Sequence, residues 1–86
     1  VGLETSFVNQ SIKIYPNPTS DLLFIESEYA IKNILITNIY GQKVYENFET
    51  GLDFKLDLSY LSNNLYHISF TDTNNKRSSS KIIISH

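Results

Sequence analysis

The side chains able to do chemistry are few in this chain, and their spacing gives them little to do together. His67 and His86 are the two histidines, and neither has a second histidine or any cysteine near it. A metal site needs several converging ligands, and a general base needs a group to orient it, so we expect an exposed strand residue and a tail residue. Asp53 and Asp57 share one strand face about 13 Å apart at the usual rise per residue, too far for a paired-carboxylate hydrolase, and read as solubilising charges. Asp72, Thr73, Asn74 and Asn75 offer oxygen ligands without the spacing of a calcium loop or its closing glutamate, and read as a turn. Lys76, Arg77 and Lys81 gather three of the seven basic residues near the end. With no aromatic platform beside them and a net charge of −2 they make a poor nucleic-acid surface. Six tyrosines raise the question of a sugar-binding face. Tyr15, Tyr45 and Tyr66 fit better in strands and turns, leaving Tyr29, Tyr40 and Tyr60 as exposed candidates. No metal, cofactor or catalytic set is expected, and hence no enzyme.

Eighty-six residues make one domain, small enough to bury only somewhat more than about 60% of the surface its unfolded chain exposes. Without cysteine there is no disulfide or thiolate metal site, so the core must come from the 41% hydrophobic residues, rich in Ile, Leu, Tyr and Phe. The charge creates no field that would draw nucleic acid or an anionic membrane. No apolar run approaches the roughly 20 residues of a membrane-spanning helix, and Val1 to Gln10 lacks the pattern of a signal peptide. The chain starts without methionine, as a piece of something longer would.

The elements that position these residues follow from proline and from period-two alternation. Pro16, Asn17, Pro18 and Thr19 form a rigid corner, because each proline fixes φ and removes a donor while disfavouring helix in the residue before it. Val1 to Gln10 shows no periodicity and reads as linker, with the domain running from Ser11 to His86. Ile12 to Ile14 is a first strand, and Thr19, Ser20 and Asp21 supply acceptors for backbone donors freed at the corner. Leu22 to Ile25 reads as a central strand, buried on both faces or flanked on one side by the linker, and returned to solvent by Glu26, Ser27 and Glu28. Ile31 to Ile36 is a third strand, with Ile34 and Ile36 on one face. Asn38 to Gly41 carries the signature of a type I turn whose Gly adopts positive φ.

Gln42 to Phe48 follows with Val44 inward, then Asp53 to Leu58 with Phe54, Leu56 and Leu58 inward. Ser59 is placed to cap a single helical or 3₁₀ turn through Leu61 to Asn64, with Asn64 in the left-handed conformation on leaving it. Tyr66, Ile68 and Phe70 form one face of a sixth strand, and Lys76 to Ile84 is the seventh. Leu61 and Tyr66 suggest a tyrosine corner. The whole reads as an all-β, seven-stranded antiparallel sandwich of immunoglobulin-like character, with a partly open barrel as the alternative.

Taken in order, Tyr15 to Asp21, the Asn38 to Gly41 turn, Asp57, Leu58, Ser59, Leu61 and Tyr66, and finally Lys81 to Ile84 closely resemble the type A C-terminal sorting domain of the type IX secretion system of Bacteroidetes-type bacteria. Asn64 stands where the family usually has Gly, and Asn38 where it often has aspartate. The resemblance implies a non-catalytic secretion address at the end of a larger cargo protein. That cargo passes through the periplasm and is recognised by the outer-membrane translocon and its shuttle proteins. The domain is then removed by a surface sortase-like protease that cuts in or before Val1 to Asn9, leaving a secreted or surface-attached product. It carries over Pro16, Asn17, Pro18, Gly41, Leu61, Tyr66 and Lys81 as recognition or fold determinants. The hairpin from Tyr66 to Ile84 offers an edge that a partner strand can extend, and the same edge is open to self-association. The competing reading is a carbohydrate-binding or adhesive sandwich appended to a secreted enzyme.

Overall fold

The computed structural model describes residues 5–86, and Val1 to Glu4 of the expected linker lie outside them. The strands are β1 (Ser6–Phe7), β2 (Ile12–Tyr15), β3 (Leu22–Thr37), β4 (Lys43–Asn47), β5 (Gly51–Asp57), β6 (Asn64–Asp72) and β7 (Arg77–Ile84). All named pairings are antiparallel. The expected count of seven is reached by a different division. Ser6–Phe7, within the segment expected to be linker, pairs with β2, and the two strands expected at Leu22 to Ile25 and Ile31 to Ile36 are one.

That long β3 is the frame of the sandwich. Its first part pairs with β2 and β5, and its second part with β4 and β6, so one strand belongs to both leaves. Glu26, Ser27 and Glu28 do not end it; they bend it. The Ser27 hydroxyl donates to the Tyr29 carbonyl at 2.6 Å and accepts the Tyr29 amide at 3.1 Å. The ladders shift between Glu26 and Ile31 and again between Ile31 and Asn33, and the second shift changes which side-chain parity faces inward. Leu23, Ile25 and Ile31 are therefore buried before the shift, and Ile34 and Ile36 after it. Leu22 to Ile25 is central as expected but buried on one face only, with Leu22 exposed on the other.

Between the leaves lie Ile12, Ile14, Leu56, Leu58, Ile68, Phe70, Ile82 and Ile84 with the inward residues of β3, and Val44 and Phe54 pack at the margin. Isoleucine predominates because a β-branched side chain loses little further freedom in a strand and fills the pleated surface well. The overall extent of 34 × 30 × 17 Å fits two leaves at the usual face-to-face spacing of about 10 Å.

The turns follow their chemistry with one substitution of roles. Gly41 has φ of 79°, its amide donates to the Asn38 carbonyl at 3.0 Å, and the Asn38 side chain accepts from the amides of Tyr40 and Gln42. After β5 the expected turn through Leu61 to Asn64 is replaced by a tighter one placed earlier: the Leu61 amide closes a β-turn on the Leu58 carbonyl at 3.1 Å, and β6 begins directly at Asn64. The asparagine with positive φ is Asn75, in the β6–β7 loop, where Asp72 binds the turn amides of Asn74 and Lys76. A short apolar segment running straight into the core can reach the next strand without a helical detour.

Tyr66 is buried, and its hydroxyl donates to the Ser62 carbonyl at 2.8 Å. The ring fills the core under Leu61 while the phenol closes the loop that leads into β6. Tyr66→Ala should cost about 3 kcal/mol or more, enough to threaten so small a domain. Tyr66→Phe isolates the hydrogen bond, about 1 kcal/mol, and should lower Tm by about 4–8 °C in a thermal melt.

Candidate functional site: the proline corner and the last strand

The corner is built to hold β7. Both X–Pro bonds, Tyr15–Pro16 and Asn17–Pro18, are cis. Asn17 lies between them with its side chain on the outer edge of β7. Its amide nitrogen donates to the Lys81 carbonyl at 3.3 Å and to the Ser6 hydroxyl at 3.1 Å, and its oxygen accepts the Ile83 amide at 3.2 Å. Thr19 continues the grip through its backbone. Its amide donates to the Ile83 carbonyl and its carbonyl accepts the Ser85 amide, each at 2.9 Å, a parallel bridge opposite Ile84. Thr19 is the buried polar residue among those described, and its hydroxyl donates to the Leu22 carbonyl at 2.6 Å rather than serving as the expected acceptor. Asn17 supplies the acceptor instead.

The sequence-derived candidates therefore separate into groups. Pro16, Asn17, Pro18 and Lys81 come together, the first three as the corner and Lys81 through its carbonyl, with its ammonium side chain exposed. Leu61 and Tyr66 are neighbours in the core beneath the β5–β6 turn. Gly41 stands apart at the tip of the β3–β4 hairpin. His67 faces solvent on β6, and Asp53 and Asp57 are exposed along β5. Tyr29, Tyr40 and Tyr60 are the exposed tyrosines, whereas Tyr15 is half-buried on the outer face of β2, stacked on Phe24 with centroids 5.5 Å apart.

The corner leaves part of β7 uncovered. Backbone groups alternate along a strand, so those of Arg77 and Ser79 point the same way as those of Lys81 and Ile83, away from β6. Among the described residues no strand pairs with that stretch, and what reaches it is the Asn9 amide, donating to the Ser78 hydroxyl at 2.7 Å.

Sequence reasoning missed the role of His86. The tail folds back so that its amide donates to the Asn63 side chain at 2.9 Å, its Nε2 meets the Leu61 carbonyl, and its Nδ1 lies 3.3 Å from the Asp21 carboxylate. With an acceptor facing each ring nitrogen, the doubly protonated ring is favoured. The pKa is raised, first by the Leu61 carbonyl and then, against partial desolvation, by Asp21. No local sequence pattern announces this contact, since its partners lie 25 and 65 positions away. On the outer face of the first leaf, Glu26 is held below its ordinary value by the Tyr15 hydroxyl and then by Lys13, whose ammonium lies 3.2 Å away.

The model of the secretion system C-terminal sorting domain matches residues 13–85, from the strand before the corner to the residue that Thr19 binds. The chain belongs to this family of type IX sorting domains. As a sorting domain it carries a secretion signal and is part of an exported protein. A solved structure, a DUF3244 family protein with an immunoglobulin-like β-sandwich fold from Bacteroides vulgatus, is similar at a TM-score of 0.75. It is 18% identical, with 99% of this chain and 96% of that one covered, and it establishes the fold of the sorting domain as a sandwich. No curated protein matches the chain.

Two measurements test the grip on the last strand. Asn17→Ala should cost about 1–2 kcal/mol in chemical denaturation and speed hydrogen exchange at the Ile83 amide, while the Ile82 amide, turned toward β6, stays protected. His86 should make stability depend on pH. Because its folded pKa is raised, its contribution is complete below the ordinary value of 6.5 and is lost as pH rises through the raised value. Melts from about pH 5 to about pH 8 should show that loss in the wild-type chain and not in His86→Ala.

Proposed function

We propose that this sorting domain is a non-catalytic terminal address whose recognised surface is the uncovered stretch of β7. The machinery reading it is the type IX translocon with its shuttle proteins. The observation that carries the reading is the family match from residue 13 to residue 85, which takes in the corner and the last strand together. Supporting it, β7 presents the outward groups of Arg77 and Ser79, which no strand among the described residues pairs, beside three exposed cations, Lys76, Arg77 and Lys81, while the corner fixes its far end. A partner strand can add to such an edge by main-chain hydrogen bonds, with the cations setting direction. The cargo lies upstream of Ser11 in the same polypeptide and travels through the periplasm. A surface protease releases it by cutting in or before Val1 to Asn9, upstream of the corner and β7.

Fusing the 86-residue chain, with β1 included, to a periplasmic reporter in a type IX-competent bacterium tests the address. The reporter should reach the medium or the cell surface; retention in the periplasm overturns the sorting role. The edge is tested in the same assay by Ser79→Pro, which removes an outward N–H without breaking a bond to β6. That variant should fold with a near wild-type melt and stay in the periplasm, and normal secretion would place recognition elsewhere. Ser80→Pro, which breaks the inward ladder, serves as the control for lost folding.

A further inference from the structure

A cavity of about 510 Å³ opens where β3 bends, at the opposite end of β7 from the proline corner. This is the size of sites that take small molecules. Its floor is apolar, formed by the buried Ile12, Ile31 and Phe70. Tyr29 stands on the wall, 57% exposed.

The rim is polar, and among the described residues the side chains of Gln10, Asn74 and Lys76 make no hydrogen bond, while Asn9, Ser27, Asp72 and Ser78 are engaged. Asn74 and Lys76 satisfy their turn through backbone amides bound to Asp72, which leaves the carboxamide and the ammonium turned to other uses. Gln10 joins them from the opposite side, on a segment held by the Asn9 side chain: its oxygen accepts the Ser11 and Ile12 amides at 2.7 and 3.0 Å.

The chemistry of the occupant follows from what is free and what is paired. Backbone groups around the mouth bond one another: Glu28 to Ser11 at 2.9 Å, Thr73 to Ala30 at 3.0 Å, Asp72 to Lys76 at 2.9 Å. An extended peptide would find no edge there. A simple anion would meet one ammonium with the Asp72 carboxylate beside it. What remains is an aromatic wall, an apolar floor and the amide and ammonium groups of the lining. They suit a molecule with one C–H face and a ring of hydroxyls.

We infer that this cavity binds a saccharide. The Tyr29 ring takes the C–H face of one sugar, and Gln10, Asn74 and Lys76 hydrogen-bond its hydroxyls. The site is distinct from the β7 edge and stands or falls apart from the sorting role, since its test reads binding by the 86-residue chain alone.

The test is an NMR titration of that chain with glucose, galactose, mannose and N-acetylglucosamine. Concentrations rise to about 10 mM, the range set by the millimolar affinity of small ligands with few contacts. At least one sugar should move the amides of Gln10, Tyr29 and Asn74. Tyr29→Ala should weaken that binding about tenfold or more with an unchanged melt. Asn74→Ala, whose turn bond comes from the backbone, should weaken it as well. No movement at those amides with any sugar, equal affinity in both variants, or movement confined to the Tyr40 and Tyr60 turns overturns the inference.

Discussion

Ile83 is the hinge of this structure's energetics although its side chain is half exposed. Its carbonyl and amide face away from β6, and the corner meets both, one through the Thr19 backbone and one through the Asn17 side chain. Without that contact the whole outer edge of the last strand would face solvent, and the first leaf would touch the second only through side chains and the shared strand. A parallel bridge to a proline-bounded segment is weak as a sheet but effective as a clasp. Proline cannot donate to a ladder, so the bonding falls to Asn17 and Thr19, the non-proline residues of the corner. Burial of Thr19 raises the stakes, since its hydroxyl must be satisfied within the protein, and Leu22 satisfies it. No buried side-chain polar atom is left without a partner among the described residues.

The second constraint is the sharing of β3 between leaves. A strand that serves two sheets must turn over between them, and the inward parity of its side chains must change at the turn. The ladder shift between Ile31 and Asn33 makes that change, just after the Ser27–Tyr29 hydroxyl-to-backbone bonds bend the strand and place Tyr29 on the cavity wall. The two ends of β7 therefore differ in kind. One is gripped by the corner, and the other adjoins a polar-rimmed hollow. A sorting domain built this way concentrates its uncovered backbone in a short stretch between them, where its cations also gather. Edges left long and apolar invite indiscriminate pairing, and a short charged one limits it.

Much of this was legible from residue order. Alternation in Phe54, Leu56 and Leu58 and in Tyr66, Ile68 and Phe70 identified inward faces that the fold retains, because one face of each strand must leave water. Asn38 and Gly41 announced their turn, since positive φ at Gly41 is a local property. The joining of Leu22 to Ile25 with Ile31 to Ile36 was not legible. Glu26, Ser27 and Glu28 look like the end of a strand, and only ladders to β2 and β5 keep them extended. The helical or 3₁₀ turn expected through Leu61 to Asn64 gave way to a β-turn at Leu58 to Leu61 for a related reason. Leu58 and Leu61 are both drawn into the core, and a β-turn brings them there directly. The candidate residues divide the same way: Tyr66 was identifiable from its spacing to Leu61, whereas nothing beside His86 in the chain points to Asp21 or Leu61.

What the amino-acid order determined by itself was local. It set the strand periods, the proline corner, the glycine turn, a cysteine-free core rich in isoleucine, and the ordered motif that marks the chain as a member of the sorting-domain family. Those features depend on φ restriction and on side-chain period, which act over a few residues. The tertiary structure alone decided which edge Asn17 and Thr19 would grip, that one strand would serve both leaves, and that the last histidine would lie between a carbonyl and a carboxylate. Each of these joins groups far apart in the chain, and their pairing is fixed only when burial of the shared core brings them within hydrogen-bond reach.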